Sequence, residues 1–99
     1  MYVFREILNC KPGKVRPMVE KFKVIAKASR ELAGVSSRVF TDVSGEPFWT
    51  VVAEIEVAKL EDFFGLEEKL RTIPDVGKAM ADYHDYVVSG RREILKLEG

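Results

Sequence analysis

The chain has one cysteine, one histidine and one tryptophan in 99 residues, and its 16 lysines and arginines are balanced by 16 aspartates and glutamates. Each shortage excludes something. Cys10 alone closes no internal disulfide. Structural zinc needs about four ligands from cysteine, histidine or carboxylate, and one cysteine with one histidine at no characteristic spacing falls short, so no metal site is expected. A net charge of zero provides no long-range field to gather nucleic acid or an anionic membrane surface, and neither is an expected partner. No apolar run approaches the roughly 18 residues that cross a bilayer. Nor does a basic n-region with an apolar h-region open the chain, so the reading is a soluble protein in a reduced, cytoplasmic setting.

The apolar content, 46% of residues, suffices for one domain over residues 1–99, with a modest core. Its centre is Val35 to Val57, two runs of β-branched and aromatic residues around Ser44-Gly45-Glu46-Pro47, which predicts a β-hairpin. In the second run strand alternation puts Trp49, Val51, Ala53, Ile55 and Val57 on one face and Phe48, Thr50, Val52, Glu54 and Glu56 on the other. The first strand, Tyr2 to Asn9, is apolar on both faces and ends at Lys11-Pro12-Gly13-Lys14. From Val15 apolar residues recur three and four apart through Leu32, an amphipathic helix with Gly34 at its C-terminal cap. Leu60 to Leu70 predicts a second helix, broken at Thr72-Ile73-Pro74-Asp75 and restarting from Asp75, as cap, to about Val87. Ser89-Gly90 then closes the helix, and Glu93 to Leu97 makes a short edge strand.

The order strand, helix, strand, strand, helix, strand predicts an α+β fold of the ferredoxin-like βαββαβ kind. It consists of a four-stranded antiparallel sheet with two helices on one face. With Asn9 opposite Trp49, the helix face takes Val3, Arg5 and Ile7 of the first strand. The open face takes Tyr2, Phe4, Leu8, Phe48 and Val52, with Glu6, Glu54 and Glu56 among them. So much apolar area favours association, and two sheets packed face to face would make a homodimer.

Phe4-Arg5-Glu6-Ile7-Leu8, followed by Lys11-Pro12-Gly13-Lys14-Val15 and Phe22, resembles the opening of NIPSNAP-like proteins. These belong to the dimeric α+β barrel superfamily, which also includes the antibiotic-biosynthesis monooxygenases. The resemblance implies a homodimer with a pocket for a small aromatic or haem-like molecule between sheet and helices. It identifies neither the occupant nor a cofactor.

The topology brings Asn9, Cys10, Trp49, Tyr83, His84 and Tyr86 to one edge of the sheet. They offer polar handles, a stacking surface and one group that titrates near neutrality. Asn9, Trp49 and His84 are similar in type and order to residues of cofactor-independent monooxygenases and haem-degrading members of the superfamily, and are the candidate catalytic set. Arg5, Trp49, Tyr83 and Tyr86 are the candidate ligand contacts. Two roles fit several of these residues. His84 suits a helix end as well as a substrate, and Trp49 suits a core or interface as well as a ligand platform. Arg5, on the expected helix face, needs an anion, either a protein carboxylate such as Asp62 or Asp85 or the carboxylate of a ligand. The leading reading is a homodimeric small-molecule-binding protein. The alternatives are an oxygenase or haem-handling enzyme, and a structural or ligand-sensing dimerisation module.

Overall fold

A computed structural model describes all 99 residues, in the order β1 (Tyr2–Cys10), α1 (Val15–Ala33), β2 (Ser37–Thr41), β3 (Thr50–Val57), α2 (Leu60–Leu70), α3 (Pro74–Met80) and β4 (Val87–Lys96). A single 3-10 turn, Tyr83–Asp85, links α3 to β4. The strands lie in the order β2-β3-β1-β4 and every pairing is antiparallel, which is the ferredoxin-like arrangement. No helix is long and apolar enough to cross a membrane.

Helix α1 forms where its spacing predicts, burying Met18, Val19, Phe22, Ala26 and Ser29 along one stripe. Gly34 ends it at φ 63°, and its backbone N–H donates to the Arg30 carbonyl at 2.8 Å. That left-handed conformation is one a side chain would resist.

The register of β1 differs by one residue from the expected one. Asn9 lies opposite Thr50 rather than Trp49, so Leu8 faces Val51 and Phe4 faces Ile55. Side chains alternate, so one step exchanges the faces of the whole strand. Phe4 and Leu8 join the core beneath the helices, and Arg5, expected there, lies on the open face with Glu54. The cause is local. Trp49 precedes β3 at φ 66°, a left-handed conformation unusual for a bulky residue, and so takes no place in the strand's alternation. Thr50 anchors this corner: its N–H donates to Asp42 Oδ1 at 2.7 Å and its hydroxyl to the Pro47 carbonyl at 2.7 Å.

The C-terminal third also departs from expectation. Ile73, not Asp75, occupies the N-cap of α3, Pro74 opens the helix, and the helix ends at Met80. Strand β4 starts at Val87 and includes Ser89 and Gly90, the residues expected to stop a helix. Gly90 lies opposite Leu8, whose Cδ2 would sit 2.6 Å from any Cβ added there. A glycine in a strand here marks close approach of a neighbour.

Candidate functional site

A cavity of about 520 Å³ lies between the helix face of the sheet and the helices. Ala53 in β3 helps form its floor, Phe22 and Ile25 of α1 and Leu70 of α2 its walls, and Val76 and Met80 of α3 close it. Among the larger side chains that line it, three small residues leave room. Ala53 offers only a methyl group in the middle of a central strand, and Ala26 in α1 and Gly77 in α3 add little. Ala53 accordingly stays half-buried where larger neighbours would have covered it.

One wall is polar. Arg92 of β4 lies opposite Glu6 of β1 and pairs with it, while its Nη2 lies 2.7 Å from Glu67 Oε2 of α2. The guanidinium also sits 5.1 Å above the Phe63 ring. Burial alone would lower the Arg92 pKa, but the hydrogen bonds and charges of Glu67 and Glu6 outweigh it and hold the group above its ordinary value. A fixed cation between two carboxylates thus borders an otherwise apolar space, with Arg71 alongside. Unlike Arg92, Arg71 has no ion-pair partner within 4 Å (its neighbour Glu67 is held by Arg92).

Of the residues singled out from the sequence, Tyr83 lines this cavity and the others do not. His84 lies against Tyr83 with ring centroids 4.0 Å apart and planes tilted by 35°, but is exposed. Asn9 is on the open face, where its amide donates to Thr50 Oγ1 at 2.9 Å and its Oδ1 accepts from Ser89 Oγ at 3.2 Å. Trp49 is half exposed beside Phe48, with centroids 6.3 Å apart. The structure therefore does not gather Asn9, Trp49 and His84 around the cavity. Arg5 pairs with Glu54 at 3.2 Å and Glu93 at 3.6 Å, not with Asp62 or Asp85. Cys10 is buried, and burial raises its thiol pKa, which suits packing rather than reaction. Glu6, Glu67 and Arg92 escaped the sequence reading because their meeting depends on the β1–β4 register and on β4 beginning six residues before Glu93.

Tyr86 belongs to a joint that holds the roof of the cavity to α1. Lys21 of α1 donates to the Ala79 carbonyl at 2.6 Å, pairs with Asp82 and lies 4.8 Å over the Tyr86 ring. The Tyr86 hydroxyl completes the joint by donating to Asp82 Oδ2 at 3.1 Å. The Lys21 hydrogen bond, then that of Tyr86, holds the Asp82 carboxyl below its ordinary pKa. A group depressed on folding stabilises above its unfolded pKa, about 3.9 for aspartate, and loses that effect as pH falls through the folded value. Melting temperatures of the wild type and Asp82→Asn should differ at neutral pH and converge in acid below the ordinary carboxylate range. A difference that persists unchanged at low pH would show that the ionised Asp82 contributes nothing to the joint.

No protein-family model and no curated protein matches the chain. Solved structures do. An uncharacterised NIPSNAP domain protein from Burkholderia xenovorans is similar over 99% of this chain and 95% of its own, at TM-score 0.80 and 16% identity. A NIPSNAP family protein from Agrobacterium tumefaciens is similar over 96% and 90%, at TM-score 0.77 and 18% identity. An antibiotic biosynthesis monooxygenase-like protein from Deinococcus radiodurans is similar over 100% and 94%, at TM-score 0.72 and 16% identity. At these identities the likeness shows a common fold, the one that the opening strand's resemblance implies.

Proposed function

We propose that the chain is a homodimeric binding protein for a small, largely apolar molecule, held in each subunit between sheet and helices. The cavity carries this reading. Its volume lies within the 300–1,000 Å³ common for small-molecule sites, and apolar walls with a few fixed polar groups are what such sites use. Binding rather than turnover is proposed because no histidine or cysteine lines the cavity, and Glu6, Glu67 and Arg92 are engaged with one another. The monooxygenase-like neighbour supports the scaffold alone. For the dimer, the support is an open sheet face that exposes Phe40 and Leu95, each 43% accessible, beside Val3 and Val52.

A thermal-shift screen of apolar and aromatic compounds, with and without a carboxylate, tests the cavity. A ligand at 100 times its Kd should stabilise the fold by about 2.7 kcal/mol and raise Tm accordingly. Ala53→Phe, which fills the floor, should fold and lose the shift. An equal shift in that variant, or no stabilising compound at all, would defeat the reading. Sedimentation at micromolar concentration should show a dimer, and a monomer there would defeat that half of it.

A further inference from the structure

Strand pairing places four ionisable residues in one row across the open face. Arg38 of β2 lies opposite Glu54 of β3, Glu54 opposite Arg5 of β1, and Arg5 opposite Glu93 of β4. From one edge of the sheet to the other the row reads cation, anion, cation, anion. Its members touch: Arg38 lies 2.6 Å and Arg5 3.2 Å from the Glu54 carboxylate, and Arg5 lies 3.6 Å from Glu93. The rows beside it are more apolar, with Phe40, Val52 and Ile7 ending at Arg91 on one side and Val3 and Leu95 beside Glu56 on the other.

A second copy laid on this face must be related by a twofold axis in the plane between the sheets. Aligned sheets cross at about 30°, which leaves two choices, an axis nearly along the strands or one nearly across them. The row distinguishes them, because its charges change sign on reflection through the sheet's midline between β3 and β1. An axis along the strands on that midline sets Arg38 against the partner's Glu93 and Glu54 against the partner's Arg5. In the next row it sets Val52 against the partner's Ile7. An axis across the strands, centred on the row, instead sets Arg38 against the partner's Arg38 and Glu93 against the partner's Glu93. The crossing angle shifts the ends of the row by only a few Å, since they lie about 7 Å from the midline at a strand spacing of about 4.8 Å.

We propose that the row Arg38–Glu54–Arg5–Glu93 is a self-complementary key for a second copy of this chain, selecting the dimer whose axis runs along the strands between β1 and β3. It rests on the homodimer reading above and specifies that dimer's geometry. Opposite charges across an interface fix register, and like charges reject the wrong one.

Charge exchange at the two ends of the row tests it. Arg38→Glu alone faces the partner's Glu93 with like charge twice per dimer, and Glu93→Arg alone faces the partner's Arg38 likewise. Each variant should be folded by circular dichroism and show a dimer Kd raised at least tenfold. Mixed in equal amounts, the two variants restore opposite charge at every position. A heterodimer of near wild-type affinity should then form. Damage within a chain cannot be repaired by mixing. With the axis across the strands, each single variant would only exchange one like-charge pair for another and lose nothing. Loss in the single variants followed by recovery in the mixture is therefore specific to the axis along the strands. Failure of the mixture to recover, or single variants that dimerise as tightly as the wild type, would overturn the key. A wild-type monomer in the same sedimentation run would overturn the homodimer itself, and the key with it.

Discussion

Phe4→Ala is expected to destabilise the fold by about 3–5 kcal/mol, the range for deleting a buried phenylalanine ring. Phe4 is 3% exposed. Its ring stacks on Phe63 with centroids 3.7 Å apart and planes 4° from parallel, and meets Phe64 edge-on at 6.1 Å. Losing Phe4 therefore removes apolar burial and also an aromatic pair, and leaves a hole between β1 and α2. Domains of this size are stable by about 5–15 kcal/mol, so urea unfolding should show a large fall in midpoint. Phe4→Glu should prevent folding, because it places a carboxylate without a partner in the core. Phe40→Ala, on the half-exposed face, should cost far less. A loss below about 1 kcal/mol for Phe4→Ala would mean that β1 is paired one residue out of the register that sets Phe4 opposite Ile55.

That register is where sequence reasoning reached its limit. Element order, the extent of α1 and its glycine cap were legible, because period 3.6 over many residues has few alternative explanations. The facing of β1 was not, since Val3 and Ile7 are as apolar as Phe4 and Leu8. A strand apolar on both faces carries no alternation to read. The deciding residue lies elsewhere, at Trp49, whose positive φ removes it from β3. Nothing in its identity announces that, because tryptophan favours strands. Strand β4 reads short in the sequence for a related reason: Ser89-Gly90 looks like a stop, whereas Gly90 yields its space to Leu8. The cavity is a further step removed from the sequence. It arises from volume missing at Ala53, Ala26 and Gly77, three residues far apart in the chain whose coincidence requires the fold.

Removing both Arg5 and Arg38 should cost about 3–5 kcal/mol, the penalty for leaving a buried charge without its partner. The Glu54 side chain is 5% exposed and binds both guanidiniums, at 3.2 Å and 2.6 Å. The arginines themselves are 39% and 56% exposed, so either can return to water if its partner is lost. The asymmetry makes the cost non-additive. Arg5→Ala or Arg38→Ala alone leaves Glu54 one cation, and each should behave more like a surface pair, at about 1 kcal/mol or less. The double substitution leaves a carboxylate in an enclosed site with no cation on it. Adding Glu54→Leu to the double variant should recover most of the loss, because apolar replacement of a buried ionic group is often neutral or stabilising. Urea unfolding of all four variants, followed by Trp49 fluorescence at concentrations low enough to hold single chains, measures the effect free of association. A double variant that loses only the sum of the singles, or a triple variant with no recovery, would show that Glu54 is hydrated in solution and that the two arginines act on it independently.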